Sequence, residues 1–328
     1  MKYRRLGGTD LEVSEVGFGV WTVSTGWWGE VDEKSSVRLL RQAHEAGINY
    51  FDTADTYGSG LGETLLADAF GGMREEVVIS TKIGYDFYNH TARRGQQERP
   101  QDWSEDFIRF ALEQSLERLG TDHVDFLQLH NTKMDAVEND ALFGLMEEFK
   151  VEGKVRAYGV ALGPKIGWLD EGAKAMRERD LDGVQMIYNL LEQDPGRDLI
   201  SAARETDTSL LVRVPHSSGM LEGKYDENTT FAKNDHRRHR PKEWLTEGLK
   251  KVELLGFLTE SGERTLGQAA LKFVLASPEV ASTLPNIYDE AHIEEFAATS
   301  ETPDLTEDEL ARVAELYESN FGIEKLVS

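Results

Sequence analysis

Phe51-Asp52-Thr53-Ala54-Asp55-Thr56-Tyr57-Gly58 closes an apolar run that begins at Asn49. The apolar part reads as a short buried strand. The acidic and hydroxyl residues that end it read as its exit into a loop. Ahead of it, Val37, Leu40, Ala43 and His44 share one helical face, and Gly47 ends that helix. A buried strand following an amphipathic helix is part of a parallel βαβ unit.

The pattern recurs in both directions from this stretch. Strands are predicted at 16–20, 49–54, 77–83, 124–130, 155–162, 183–189, 209–215 and 280–286. Helical spacing lies between them. Phe107, Ala111, Leu112, Ser115, Leu116 and Leu119 form one stripe, with Ser104 as expected N-cap and Gly120 as stop. Leu142, Leu145, Met146 and Phe149 form another, and Ala269, Ala270, Phe273 and Val274 a late one. Eight strands in 328 residues predict a closed (β/α)8 TIM barrel rather than an open sheet. Gly17-Phe18-Gly19 lacks the Gly-x-Gly-x-x-Gly spacing of a Rossmann turn. Residues 2–5 and 11–14 flank Gly7-Gly8-Thr9-Asp10 and predict a β-hairpin plugging one barrel end. No domain boundary is visible, so one domain is expected over 1–328. Two long loops, 84–104 and 216–246, follow the third and seventh strands, at the barrel end where active sites are built.

Composition narrows the function. With 60 acidic and 36 basic residues the net charge is -24, which disfavours nucleic acid and anionic membranes as partners. The same balance suits a halophilic-like acidic surface, stabilised as salt screens its self-repulsion. The absence of cysteine excludes disulfides, thiolate metal sites and a catalytic thiol, and suits a reducing cytoplasmic compartment. No segment has the apolar length of a membrane span. No uninterrupted apolar helix face advertises a partner, so a monomer is expected.

In a barrel the C-terminal strand ends converge. Asp52 and Tyr57 after the second strand, Lys82 after the third and His130 after the fourth therefore meet at one mouth. Singly, each has an ordinary structural explanation. Lys82 is the least ordinary, because an ammonium ending an apolar strand must find a partner, and Asp52 is the obvious one. Together they form a device. An unperturbed tyrosine titrates near about 10, and a nearby ammonium favours its phenolate. Tyr57 then serves as general acid or base, and His130 hydrogen-bonds the substrate oxygen as it gains charge. No metal is called for. The remaining requirement is a hydride source, which a nicotinamide cofactor meets and no side chain can.

These segments resemble the aldo-keto reductase superfamily over essentially the whole chain. The resemblance rests on Asp52 through Gly58 with Glu63, Ser80-Thr81-Lys82, Leu127-Gln128-Leu129-His130-Asn131, Val16-Gly17-Phe18-Gly19, and Val184-Gln185-Met186-Ile187-Tyr188-Asn189. It implies a catalytic tetrad of Asp52, Tyr57, Lys82 and His130. It also implies NAD(H) or NADP(H) across the barrel mouth and a small carbonyl or alcohol substrate. Gln185 matches a glutamine that contacts the nicotinamide carboxamide. Arg213, Pro215, Gly219 and Leu221 match the loop near the pyrophosphate. Gly19, Trp21 and Glu295 complete the implied cofactor contacts, with Asn286 and His292 at the 2′-phosphate end. There the family's lysine and arginine are replaced by Asn286 and His292, which predicts that NADH is used at least comparably to NADPH. Strand five departs from the pattern, with Ala161-Leu162 where many members carry Ser-Asn, and His216 stands where an apolar residue is common. Trp21, Trp27, Trp28 and Tyr85 are expected to wall the substrate. The alternative reading is a cofactor-binding regulatory subunit of the potassium-channel β type, which shares fold and tetrad.

Overall fold

A computed structural model describes residues 1–29, 31–91, 98–163 and 167–323. Strands β1 (Tyr3–Arg5) and β2 (Glu12–Ser14) pair antiparallel as the predicted hairpin. Leu6, Leu11 and Val13 from it pack with Tyr50, Val78, Phe126, Ala157 and Leu211 in one cluster. Those partners lie inside the barrel near the strand starts, so the hairpin is a hydrophobic plug on the end away from the mouth.

Eight parallel strands follow: β3 (Phe18–Gly19), β4 (Tyr50–Asp52), β5 (Val78–Ile83), β6 (Val124–His130), β7 (Val155–Ala161), β8 (Gly183–Ile187), β9 (Ser209–Arg213) and β10 (Val280–Leu284). They are hydrogen-bonded in sequence order from β3 to β10. A parallel bridge between Val16 and Thr283 joins the first and last, closing a (β/α)8 barrel. Six strands end one or two residues before the predicted C-terminal bounds, while β5 and β6 end where predicted, at Ile83 and His130. Helices Glu33–Glu45, Leu61–Phe70, Glu105–Leu119, Asp140–Val151, Leu169–Glu178, Gly196–Ala203, Leu266–Leu275 and Glu290–Ala297 cover the outside. Gly120 ends the third of these at φ 64°, as expected. Ser104 is its N-cap by position but makes no side-chain cap bond, and its own amide donates to Asp102.

The side-chain alternation of β5 shows how the sequence sets the site. Val78 packs in the barrel interior, while Ile79 and Ile83 join the core between barrel and helices. Ser80 and Lys82 share the parity of Val78, so they face inward toward the mouth. In β6, Phe126, Gln128 and His130 face inward in the same way, with Leu127 and Leu129 outward. The lowest interior layer is thus apolar, the next is polar, and the uppermost carries charge. Among the described residues, no helix is long and apolar enough to cross a membrane.

Candidate active site

Lys82 is 1% exposed, and its Nζ donates to Asp52 Oδ1 at 2.6 Å and to the Thr53 carbonyl at 2.6 Å. A buried ammonium is tolerable only with such partners. Asp52 Oδ2 accepts from Gln128 at 2.9 Å, Gln185 at 3.0 Å and Ser80 at 3.1 Å. The carboxylate is therefore saturated, and its geometry is fixed by four strands. Gln128 and Ser80 escaped the sequence reading, although their parity with His130 and Lys82 marks them as inward-facing.

Tyr57 comes from the loop after β4. Gly58 follows it at φ 60°, and a Cβ there would strike the Ser24 carbonyl oxygen. Only glycine lets the chain turn so tightly and leave the phenol over the mouth. The Lys82 Nζ lies 5.1 Å from the Tyr57 ring centre. The His130 ring lies 5.8 Å from Tyr57, edge to face. Burial, then the charges of Lys82 and Arg213, holds His130 well below its usual value, so its imidazole is neutral. Its Nδ1 is buried with no hydrogen-bond partner among the described residues. The predicted tetrad is brought together.

Tyr85 is held from behind. Its ring lies 5.0 Å from His130, while its hydroxyl donates to Glu98 and accepts from Asn131 at 2.8 Å. Gln101 donates to the carbonyls of His130 (2.7 Å) and Asn131 (3.0 Å), pinning the 84–104 loop over the histidine. Residues 92–97 of that loop lie outside the described residues. Tyr85 thus offers the mouth its ring and not its hydroxyl.

The tryptophans divide. The Trp21 ring makes edge contacts with Trp27, Trp28 and His236. Trp28 is 6% exposed, with the Arg237 guanidinium 4.1 Å over its ring and His236 at 4.7 Å. It is the seat of the 216–246 loop. The His236 amide donates to the Trp27 carbonyl at 3.0 Å, and Arg237 is tied to Asp235 and to the Tyr225 hydroxyl. The predicted long loop is a strap fastened across the tryptophans.

The expected cofactor residues lie along the same rim. Gly19 is in register with Asp52. Gln185 is 2% exposed, and its amide nitrogen is committed to Asp52. After buried Pro215, Ser217, Ser218 and Gly219 adopt successive positive φ values of 46°, 58° and 89°. The amides of Ser218 and Gly219 donate to no other described group, and Arg240 reaches Ser218 Oγ at 3.2 Å. Consecutive free amides in this conformation form an anion-binding concavity, so the turn fits a cofactor's phosphates. Leu221 behind it is wholly buried. Arg213 Nη2 donates to the carbonyls of Leu162 (3.0 Å) and Gly163 (2.5 Å), at the end of β7.

At the far end Asn286 is half-buried and His292 wholly buried. His292 Nε2 lies 2.8 Å from the Lys224 Nζ and 3.4 Å from Glu222, and Nδ1 lies 2.6 Å from Asp289. Lys224 was missed; only its place just past Gly219 and Leu221 signalled it. Glu295 accepts from Thr265 at 2.6 Å. His216 is a core residue, bonded to the Gly267 carbonyl at 3.0 Å and packed on Phe296. Among the described residues, no group of three or more His, Asp or Glu is placed to hold a metal.

The pattern of the Aldo/keto reductase family matches residues 15–318. The chain belongs to that family. It is an oxidoreductase of the aldo-keto reductase type. It is 28% identical over 313 residues to the uncharacterized oxidoreductase YqkF of Bacillus subtilis, covering 94% of each chain. It is 29% identical to the NADH-specific methylglyoxal reductase of Escherichia coli, covering 68% of this chain and 70% of that one. Its structure is similar to aldo-keto reductase AKR11C1 from Bacillus halodurans (holo form), with a TM-score of 0.78, 28% identity and 96% coverage of both chains.

Proposed function

We propose that the chain reduces aldehydes or ketones, or oxidises the matching alcohols or sugars, with Tyr57 as general acid and base. It acts as one domain over 1–328, of which 30, 92–97, 164–166 and 324–328 lie outside the described residues. The observation that carries the reading is the Asp52–Lys82 pair at 2.6 Å, with the Lys82 ammonium 5.1 Å from the Tyr57 ring centre and His130 beside it.

A bound nicotinamide cofactor supplies the hydride. The side chains do the rest. Lys82, oriented by Asp52 and Thr53, favours the phenolate left when Tyr57 gives its proton to the carbonyl oxygen. Neutral His130 donates to that oxygen as charge builds on it. The rings of Trp21, Trp27 and Tyr85 exclude water around the substrate, and Trp28 holds the strap. The Ser217–Gly219 turn and Pro215 would hold the pyrophosphate, with Leu221 packed behind them, while Gly19, Trp21, Gln185, Asn286, His292 and Glu295 would lie along the rest of the cofactor groove.

Among the described residues, neither Asn286 nor His292 brings an arginine fork to the 2′-end. Asn286 carries no charge, and the Lys224 ammonium beside His292 is 4.0 Å from buried Glu222. This supports use of NADH at least comparable to NADPH. A cysteine-free chain with net charge -24 supports a cytoplasmic monomer with a small-molecule partner.

The test is a turnover screen of the purified protein with both cofactors against aldehydes, ketones and aldoses, read as loss of reduced-nicotinamide absorbance. Turnover with NADH at least comparable to NADPH is expected. Tight cofactor binding without oxidation by any carbonyl would instead support a regulatory cofactor-binding role.

A further inference from the structure

Arg213 ends β9, in register with Ile187 of β8 and Leu284 of β10. It has the inward parity of Leu211, which packs in the barrel interior. One nitrogen of its guanidinium caps the Leu162 and Gly163 carbonyls. Among the described residues, no carboxylate lies within ion-pair distance of it. The other cation of the mouth, Lys82, is matched by Asp52 at 2.6 Å. A buried charge is usually matched or neutralised. The half-buried Arg213 has no such match, and Tyr57, Asp52, Tyr85 and His130 are titratable groups whose charge couples to its own. The phosphate-binding turn at Ser217–Gly219 lies beyond the strand, with Arg240 as its own cation. Arg213 ends its strand on the inward face, at the mouth.

We propose that Arg213 is a fixed, unmatched positive charge at the hydride-transfer site that makes the protein hold reduced nicotinamide more tightly than oxidised nicotinamide. This rests on the nicotinamide-dependent reading above. The two ring forms differ by one charge: the oxidised ring is cationic and the reduced ring neutral. Transfer to a carbonyl held by Tyr57 and His130 requires the ring to lie against those side chains, within Arg213's field. Two like unit charges in a partly buried site repel by enough to change an affinity about tenfold. Arg213 is thus a positioning residue for charge. Its sign favours loading with the reduced form and release of the oxidised one, which is the direction of carbonyl reduction.

The experiment is a binding titration, read by quenching of tryptophan fluorescence. Reduced cofactor, oxidised cofactor and ADP-ribose, which lacks the nicotinamide ring, are each titrated into wild type, Arg213→Lys and Arg213→Gln. Wild type is expected to favour the reduced form about tenfold or more. Arg213→Gln should shrink that preference about tenfold, chiefly by tighter binding of the oxidised form, with ADP-ribose unchanged. Arg213→Lys should keep the preference. Equal affinity for both forms in wild type overturns the proposal without need of a variant. So does an Arg213→Gln protein in which both forms and ADP-ribose weaken together, which is what a pyrophosphate grip would produce. Failure of wild type to bind any of the three ligands would instead strike the nicotinamide reading itself.

Discussion

Replacing Lys82 with methionine separates the structural role of the buried ion pair from its chemical one. Lys82 and Asp52 have side-chain exposures of 1% and 6%, at a separation of 2.6 Å. Removing one partner of such a pair typically costs about 3–5 kcal/mol, because the other charge stays buried. Here Asp52 keeps three neutral donors, from Ser80, Gln128 and Gln185. The loss should therefore fall at the low end, about 3 kcal/mol by the same accounting. Adding Asp52→Asn removes the stranded charge, so the double variant should recover about 2 kcal/mol of that loss. The assay is urea unfolding at neutral pH, followed by far-ultraviolet circular dichroism. A single-variant loss under about 1 kcal/mol, or a double variant no more stable than the single, would refute the buried-pair account.

Asp55 is wholly buried, and neither carboxylate oxygen has a partner among the described residues. Burial, then Glu63, pushes its carboxyl well up. The native state keeps a proton that the unfolded chain releases above about pH 4. Stability is lost as pH rises through that range, so Asp55→Asn should stabilise the protein at neutral pH and have little effect near pH 4, as measured by denaturant midpoints. Burial holds the imidazoles of His130, His216 and His236 low. Below about pH 6.5 the unfolded chain takes up protons there that the native state refuses, and stability falls by up to about 1.4 kcal/mol per pH unit for each histidine. His216→Leu should make the loss of unfolding free energy between neutral pH and pH 5 measurably shallower; an unchanged slope contradicts this.

Much of this was readable before the fold. Eight apolar runs with polar exits predict the barrel, and the hairpin plug follows from apolar residues flanking a glycine turn. The gathering of Asp52, Tyr57, Lys82 and His130 at one mouth was readable because barrel topology makes strand ends converge. What escaped the reading depends on contacts distant in sequence. Trp28 reads as a substrate wall until Arg237 is seen stacked on it. Tyr85 reads as part of an aromatic wall, but the hold of Glu98 and Asn131 on its hydroxyl is not visible in the sequence. Arg213 reads as a phosphate ligand because an arginine at a strand end suits one. Its inward parity, which the sequence does contain, is a second guide to its place.

The central claim is that Tyr57 moves the proton. The most direct test is Tyr57→Phe, which keeps the ring beside His130 and removes only the hydroxyl. The account predicts that binding of reduced nicotinamide, titrated by tryptophan fluorescence, stays near wild type. It predicts that kcat with an accepted aldehyde falls by about 10² to 10⁴. A variant that binds cofactor and turns over at a rate near wild type would contradict it.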